Sequence, residues 1–424
     1  MKKETKKTPL AAWHEAHGAT MVDFNGWSMP LWYPSGARSE HVAVITNAGL
    51  FDTSHMAVVM ITGSGAKELL QRCFTKDLNA CVGKGKTPLT PGRCAYGAYL
   101  SERGELIDDA IVYRIGSDEY MTVVNCGMGG KIAAHLRNHS DERNAEVADL
   151  TGQVGKIDLQ GPESARILTG ILKDAEDVLT DMPYFSFQGH FDQTSVLADT
   201  HLIDGTPLLL SRTGYTGEFG FEIFVEPDHL VRVWEMMLAA ATDSGLIPCG
   251  LAARDSLRAG AVLPLSHQDI GPWPFINHPW PFALPYNADQ TGFTKGFVGD
   301  IVLDLKEKAD HTHAFVGYDP RKVSAHDSAA VVLDSGETEI GVVTTCVADL
   351  AIGREDDRIY SIASPDKPGD FKPRGLCCGF VRVKERLGSN QMVKLKDRRR
   401  EIEVMIVDDV RPDRTARRPM REFL

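Results

Sequence analysis

Two adjacent acids stand inside a run of apolar residues that is typical of a β-strand. Asp108 and Asp109 interrupt the segment Leu106–Ile115. Because successive side chains of a strand point to opposite faces, one of the two carboxylates must face inward. A buried acid without a partner is costly, and buried acids often have a perturbed pKa that serves function. A salt-bridged Asp at the end of a strand explains the pair equally well.

A second candidate is the glycine-rich segment 211–223, which reads SRTGYTGEFGFEI. Its three glycines lie within seven residues, and they allow sharp turns and a close approach of the backbone to a planar ligand. Tyr215 and Glu222 add an aromatic face and a carboxylate. The segment predicts either a ligand-binding loop or a hairpin in which Tyr215 packs over glycine.

The third candidate is Arg254, which lies in a short helical stretch of small and apolar residues. A guanidinium in that setting requires a carboxylate or a planar acceptor, which it binds through two parallel hydrogen bonds. Pairing with Asp255 or another acid is the structural alternative. The candidates for metal binding are four histidines: His267, His278, His311 and His313. None of them has an acidic or Cys partner at ligand spacing, so no metal site is predicted.

These residues must be positioned by a mixed α and β framework. A turn of Gly, Ser and Asp separates Leu106–Ile115 from Glu119–Cys126, which predicts a hairpin. Apolar residues recur at helical spacing over Pro227–Ala241, which predicts an amphipathic helix. Ser64 as a helix cap and Pro162 at a first helical position predict two further helix starts.

The segment Gly271–Asn287 interrupts this framework, because five prolines among its seventeen residues forbid a regular helix. Ordered loops of this length are often functional or interfacial. Its aromatic residues predict either a wall that binds a small methylated cation or packing against the following domain or a second subunit. Beyond it, six short apolar segments predict a small antiparallel barrel or sandwich, at residues 314–319, 329–334, 339–346, 376–383, 391–396 and 401–407.

The bulk composition narrows the class of protein. At 424 residues, with 43% hydrophobic and 25% charged residues, the chain predicts a globular protein of about two to four domains. A net charge of −12 disfavours nucleic acid and anionic membranes as partners, and no apolar run is long enough for a bilayer. The eight scattered cysteines are typical of reduced thiols. Without a signal-like segment, we expect a cytoplasmic protein.

The order of the motifs along the chain is more specific than any one of them. From Thr8 to about Asp269 the chain resembles the aminomethyltransferase (T-protein) family of the glycine cleavage system, in motifs such as GWSMP, DTSHM, GYTGEFGFEI and GLAARDSLR. The resemblance implies an α+β fold of three domains around a central folate channel, with a C-terminal antiparallel β-barrel. We expect two interleaved α+β domains over 1–270, a connecting segment over 271–300 and the barrel domain over 301–424.

The same resemblance assigns roles to individual residues. It implies that Asp108 is catalytic and lies beside the reactive edge of tetrahydrofolate, which serves as co-substrate. Glu222 and Arg254 would hold the amide and amino groups of the pterin, because its two-donor edge is complementary to a carboxylate. Five further residues are expected to line the pocket: Met56, Tyr96, Val124, Asn125 and Tyr215.

The implied reaction transfers a one-carbon unit from an aminomethyl group on the lipoyl arm of a partner, the H-protein, to tetrahydrofolate, with release of ammonia. Departures from the family pattern cluster in Gly271–Asn287, in the C-terminal domain and in the extension Arg411–Leu424. They keep a second prediction open, a tetrahydrofolate-dependent demethylase that acts on a small N-, O- or S-methylated compound. A third prediction is a folate-binding protein of the same fold that has no catalytic activity.

Overall fold

The computed structural model describes residues 5–140, 144–180, 182–325, 330–356 and 358–424. Its strands are β1 (Lys6–Lys7), β2 (Thr20–Phe24), β3 (Trp27–Trp32), β4 (Ala48–Asp52), β5 (Ala57–Thr62), β6 (Arg93–Leu100), β7 (Leu106–Arg114), β8 (Glu119–Val124), β9 (Glu146–Asp149), β10 (Gly155–Gln160), β11 (Phe187–Gly189), β12 (Leu209–Ser211), β13 (Gly220–Val225), β14 (Leu246–Pro248), β15 (His311–Gly317), β16 (Val331–Leu333), β17 (Glu339–Asp349), β18 (Ile352–Glu355), β19 (Arg358–Ser361), β20 (Leu376–Val383), β21 (Met392–Lys396) and β22 (Glu401–Val407).

The helices are α1 (Ala11–Ala16), α2 (Gly36–Thr46), α3 (Ala66–Cys73), α4 (Gly129–Asn138), α5 (Ser164–Thr169), α6 (Ala175–Leu179), α7 (Leu230–Ala240) and α8 (Leu251–Gly260). Short 3₁₀ turns span Pro227–His229, Pro281–Ala283, Asp300–Leu303 and Met420–Glu422. Within the described ranges, no helix is long and apolar enough to cross a membrane.

Two central sheets carry most of the N-terminal half of the chain. One has five strands in the order β6-β7-β8-β5-β9, all antiparallel to their neighbours. The other has six strands in the order β11-β12-β13-β10-β4-β14, and only the pair β4 and β14 is parallel. The predicted hairpin is confirmed as β7 and β8, which pair in antiparallel register.

These sheets face each other, and each carries helices on its outer face. Val58 and Val123 of the five-stranded sheet meet Phe187 and Phe224 of the six-stranded sheet in a shared core. Helices α3 and α4 cover the outer face of the first sheet, and α5, α6 and α7 cover that of the second. The layers therefore follow the order helix, sheet, sheet, helix, which buries both faces of both sheets.

The C-terminal region forms a closed antiparallel barrel in the order β15-β20-β17-β16-β21-β22. Each of its six strands overlaps one of the six predicted segments, although β15 begins earlier and β17 ends later than predicted. Residue 329, the first of the second segment, lies outside the described residues. The interior is filled by apolar side chains from all six strands. The prediction of a C-terminal β-barrel is confirmed, and the barrel replaces the sandwich that the sequence left open.

Two predicted helix starts are displaced, by one residue for α3 and by two residues for α5. Helix α3 begins at Ala66, and no side chain caps it, so Ser64 is not its cap. Helix α5 begins at Ser164 rather than at Pro162. The chain turns at Gly161, whose positive φ of 127° suits glycine, and the Ser164 hydroxyl donates to the Gly161 carbonyl (2.7 Å). The helix starts only after this turn.

Packing against the barrel accounts for most of the Pro- and aromatic-rich segment. Trp280 is 1% exposed, and its ring lies 5.2 Å from that of Phe380 on β20. Phe275 belongs to the same core. Phe282, by contrast, is 48% exposed. The packing alternative is therefore correct for the buried rings of this segment, and Phe282 is the exception.

The residues after β22 return across the molecule as an irregular segment. Arg411 is fully buried and donates hydrogen bonds to Asp349 at the end of β17 (2.6 Å) and to Glu218 (3.1 Å). The hydroxyl of Thr415 also donates to Glu218 (2.7 Å). The C-terminal extension thereby ties the barrel to the glycine-rich segment 211–223.

We expect Arg411→Ala to lower the free energy of unfolding by about 3–5 kcal/mol, because two buried carboxylates lose the cation that they share. Equilibrium unfolding in urea, followed by circular dichroism, measures this loss. Arg414→Ala is the matched control, since its pair with Asp409 is partly exposed and should contribute about 0–1 kcal/mol. Equal losses in the two variants would contradict the prediction.

Candidate active site

A cavity of about 1690 Å³ lies where the two central sheets, α8 and the following segment 263–268 meet. Small-molecule sites usually occupy about 300–1,000 Å³, so this volume has room for a ligand and part of a second reactant. Asp108 and Val124 are not among its lining residues. The other six predicted site residues line it: Met56, Tyr96, Asn125, Tyr215, Glu222 and Arg254.

The two adjacent acids of β7 divide between the two faces of their sheet. Asp108 is fully buried and shares its strand face with Ala110 and Val112, which pack in the layer of α3 and α4. Asp109 points to the opposite face and lines the cavity. The alternation predicted from the sequence is present. The catalytic role predicted for Asp108 stays a prediction, and the carboxylate that lines the cavity is that of its neighbour Asp109.

Asp108 supports the cavity from behind. Its Oδ2 accepts the main-chain N–H of Asn125 (2.8 Å), and its Oδ1 accepts the Asn125 side-chain amide (2.9 Å) and the Ser266 hydroxyl (3.0 Å). The same amide group of Asn125 donates to Oδ1 of Asp109 (2.8 Å). Asp108 therefore orients Asn125 and, through it, the carboxylate of Asp109.

Burial raises the pKa of Asp109 to about 6, and the negative charge of Asp108 acts in the same direction. The Tyr96 hydroxyl donates to Asp109 (2.8 Å), which favours the ionised carboxylate. Burial and this carboxylate raise the pKa of Tyr96 well above its usual value, so Tyr96 remains a donor at neutral pH. Asp109 is thus poised close to neutrality, where proton transfer by a side chain is most effective.

The same alternation decides which valine of β8 meets the cavity. Val124 packs in the core beneath α3 and α4. Val123 points the other way, towards the second sheet, and lines the cavity. The side chain that lines the cavity is thus that of Val123, whereas Val124, the residue predicted to do so, lies on the opposite face.

Glu222 and Arg254 belong to one buried charge network. Glu222 on β13 stands directly opposite Asp158 on β10, where two like charges repel. The Lys156 ammonium contacts Oε1 of Glu222 (2.6 Å) and Oδ1 of Asp158 (2.5 Å). Arg254 pairs with the other oxygen of Asp158 (2.7 Å), whereas Asp255 pairs elsewhere. Two cations thus balance two carboxylates.

This network keeps Asp158 ionised and orients both carboxylates. Burial alone would raise the pKa of Asp158, but Lys156 and Arg254 outweigh it and lower that pKa to about 2. Glu222 also accepts hydrogen bonds from the hydroxyls of Thr213 and Tyr113. A carboxylate has about four acceptor sites, so Glu222 retains capacity for a donor in the cavity.

Tyr215 connects this network to the segment after α8. The Arg254 guanidinium lies 4.9 Å from the centroid of the Tyr215 ring, within the range of a cation–π contact. The Tyr215 hydroxyl donates to the carbonyl of Pro264. Because β12 and β13 also pair, the glycine-rich segment is both a hairpin connection and a wall of the cavity.

Contacts with the barrel fix the segment after α8. Asp269 accepts the main-chain N–H of Leu265 (2.9 Å) and the hydroxyl of Thr345 on β17 (2.7 Å). Val262 has a φ of +56°, which is rare for a β-branched residue. Its carbonyl accepts the indole N–H of Trp280 (2.7 Å). A strained backbone conformation of this kind persists only where surrounding contacts hold it in place, and such conformations are frequent beside ligand sites.

Three site residues were missed by the sequence analysis. Lys156 and Asp158 lie on one face of the buried strand β10, and two charges on one face of a buried strand are a signal that could have found them. His55 lines the cavity, and its buried Nδ1 has no hydrogen-bond partner among the described residues. Burial lowers the pKa of His55 to about 4, so its ring is neutral. For His55, the sequence contains no comparable signal that would have identified it as a site residue.

Comparison with known proteins identifies the family. The GCVT N-terminal domain family matches residues 10–273, which is more than half of the chain. The chain belongs to this family. It is 44% identical over 267 residues to the aminomethyltransferase of Streptomyces coelicolor, across 63% of this chain and 66% of that protein. It is 35% identical over 340 residues to that of Geobacillus thermodenitrificans, across 80% of this chain and 86% of that protein.

The fold of the family is also shown by a solved structure. The glycine cleavage system aminomethyltransferase T from Bartonella henselae matches with a TM-score of 0.74 and 27% identity, over 95% of this chain and 97% of that one. The predicted resemblance and the predicted α+β fold are confirmed. Since the GCVT family match ends at residue 273, the predicted site residues from Met56 to Arg254 all lie within it, whereas the barrel lies outside.

Asp109 should destabilise the fold once it ionises. Its pKa of about 6 in the folded protein lies above the ordinary value, so the folded state holds this proton more tightly than the unfolded chain. Stability therefore falls as the pH rises from about 4 to about 6. We expect Asp109→Asn to remove this loss and to be more stable than the wild type at neutral pH, on the order of 1–3 kcal/mol.

Urea unfolding of the wild type and the variant, repeated across this pH range, measures the difference. Asp243→Asn is the control, because Asp243 is exposed and its substitution should leave the pH profile unchanged. Parallel profiles for the wild type and Asp109→Asn would show that Asp109 has an ordinary pKa.

Proposed function

We propose that the protein is a tetrahydrofolate-dependent aminomethyltransferase of the glycine cleavage type. A one-carbon unit passes from an aminomethyl group on the lipoyl arm of an H-protein to tetrahydrofolate, and ammonia leaves. The observation that carries the proposal is a single cavity, within the region matched by the family, that is lined by both Asp109 and Glu222. Relatives named aminomethyltransferase support the same activity.

The cavity residues fit the pterin of tetrahydrofolate. A pterin presents its N3–H and 2-amino group as donors. Lys156, Thr213 and Tyr113 occupy three of the roughly four acceptor positions of Glu222, so one position remains for a pterin donor. Glu222 faces the cavity, and Lys156 holds one of its oxygens (2.6 Å). Arg254 and Tyr215 add a cationic and an aromatic surface beside it. We assign the holding of the pterin to Glu222 and Arg254.

The chemistry divides between the co-substrate and the chain. When bound, tetrahydrofolate supplies the nitrogen nucleophile, so the chain needs no Ser or Cys nucleophile. The carboxylate of Asp109 stabilises positive charge that develops at the transferred carbon. Because its pKa is about 6, Asp109 can also accept and return a proton near neutral pH. Asp108 serves as a positioning residue, since it acts on Asp109 through Asn125.

The Pro- and aromatic-rich segment gives little support to a small methylated donor. An aromatic cage for a methylated cation requires several ring faces around one point. Of the aromatic residues in this segment, only Phe282 lines the cavity, beside Tyr96. An aminomethyl group delivered on a carrier protein is therefore the favoured one-carbon donor. The cytoplasmic location and the absence of nucleic-acid and membrane partners stay predictions.

Glu222→Gln should weaken the binding of tetrahydrofolate by roughly tenfold to a hundredfold, because a neutral amide places a donor against one of the pterin donors at a cost of about 1–3 kcal/mol. Anaerobic titration calorimetry measures the Kd. Glu226→Gln is the matched control, since this exposed glutamate follows the same strand and should bind with wild-type affinity. An unchanged Kd in a folded Glu222→Gln protein would remove Glu222 from the pterin site.

The identity of the one-carbon donor is tested by supplying each candidate donor in a separate assay. Purified enzyme with tetrahydrofolate is supplied with aminomethyl-loaded H-protein and, in parallel, with glycine betaine, dimethylglycine or methylated sulfur compounds. We expect methylenetetrahydrofolate and ammonia from the H-protein alone, since the acid and the pterin-facing residues of the cavity are present. Methyltetrahydrofolate from a small methyl donor, with the H-protein inert, would establish the demethylase instead.

Two variants make this assay specific for the site. Asp109→Asn should lose about 10²–10⁴-fold in turnover, the usual contribution of a positioned acid–base group. Asp243→Asn, on the surface, should retain the wild-type rate. Full turnover by Asp109→Asn would show that the cavity carboxylate has no part in the reaction.

A further inference from the structure

Three side chains with metal-ligating atoms meet on the outer side of the five-stranded sheet, away from the cavity wall. Cys73 is the last residue of α3, His135 lies on α4 and His139 follows its end. One ligand atom from each residue lies within 4.8 Å of the other two. The two histidines are one helical turn apart, which places their rings on one face of the helix.

The ring of His139 is held in an orientation that suits a metal ligand. Its Nδ1 lies 2.8 Å from the main-chain carbonyl oxygen of His135, and a carbonyl can only accept, so Nδ1 carries the proton. A histidine that binds a metal through one ring nitrogen usually donates the other N–H in this way. Its other ring nitrogen, Nε2, lies 3.2 Å from Oε1 of Glu102. Two acceptors at this distance require a cation or a proton between them.

His135 supplies an independent observation. Its Nε2 is buried, and within the described ranges it has no hydrogen-bond partner. Buried polar atoms in native proteins nearly always have one, so an orphaned ring nitrogen indicates an absent partner. The ring of His135 lies 4.7 Å from that of His139, so an ion at this point would meet both nitrogens.

The ligand set indicates which ion fits. Cys73 is fully buried, and a thiolate with two imidazoles and a carboxylate is a tetrahedral set that zinc accepts. Zinc bonds of about 2.0–2.3 Å require ligand atoms closer together than 4.8 Å. Small displacements shared among the three side chains, with the His139 Nδ1 hydrogen bond kept, can supply this contraction.

We propose that Cys73, His135 and His139 form a zinc site, with Glu102 as the fourth ligand, that joins α3 to α4. The site is separate from the proposed transfer reaction, because α3 and α4 cover the face of the sheet opposite to the one on which Asp109 lies. Its ion bridges two helices that otherwise contact through apolar side chains. The sequence gives little sign of this site, because Cys73 is remote from the histidines along the chain.

The test uses untagged, full-length protein that has been stripped with a chelator. Titration with Co²⁺ should give one equivalent of bound metal and a near-ultraviolet band from cobalt–thiolate charge transfer, and Zn²⁺ should abolish that band. Cys73→Ser should lose the band, and His139→Gln should bind Co²⁺ at least ~tenfold more weakly. Zn²⁺ should also raise the Tm of the stripped wild type but not of the variants.

Matched controls separate this site from other thiols and imidazoles. Cys81→Ser and His311→Gln remove a partly buried cysteine and a partly buried histidine elsewhere and should bind Co²⁺ as the wild type does. Circular dichroism confirms that each variant folds, and His139→Gln serves if the buried Cys73 tolerates no change. A wild type without the cobalt–thiolate band, or a band that persists in Cys73→Ser, would overturn the proposal.

Discussion

Asp158 and Glu222 occupy directly opposed positions on two neighbouring strands, and both carboxylates are buried. Like charges at such positions repel each other, and buried charges are screened less than exposed ones. The arrangement therefore depends on Lys156, whose ammonium contacts both acids. The cost of desolvation offsets much of the attraction within a buried ion pair. The main effect of this network is therefore to orient the side chains rather than to stabilise the fold. Glu222 and Arg254 face the cavity because Lys156 and Asp158 hold them from behind.

A second set of buried charges ties the other cavity walls to the barrel. Arg411 joins Asp349, at the end of β17, to Glu218 in the glycine-rich segment. Asp269 joins the segment after α8 to Thr345 of the same strand. One barrel strand thus positions two walls that come from distant parts of the chain. Because charge-assisted hydrogen bonds are short and directional, the barrel is a rigid support for the cavity rather than a separate appendage.

The sequence predicted those features that local patterns determine. The hairpin of β7 and β8, helix α7 and the six barrel strands all follow from periodicity and turn residues over short segments. The order of motifs led to six of the residues that line the cavity. At two positions, Asp108 and Val124, the neighbouring residue lines the cavity, because packing against two layers decides which face of a strand meets which layer. The sequence of two adjacent residues does not indicate which of the two packs against the helices and which faces the other sheet.

The two acids of β7 show why that choice of face matters. Asp108 is enclosed and held by hydrogen bonds from Asn125 and Ser266, so its charge has a fixed place behind the cavity wall. Burial raises the pKa of Asp109 to about 6, and the charge of Asp108 contributes to this rise. An Asp at its ordinary pKa, about 4, is a weak base at neutral pH. Alternation along one strand thus gives neighbouring, chemically identical residues different surroundings, since Asp108 is held behind the cavity wall and Asp109 lines the cavity with a raised pKa.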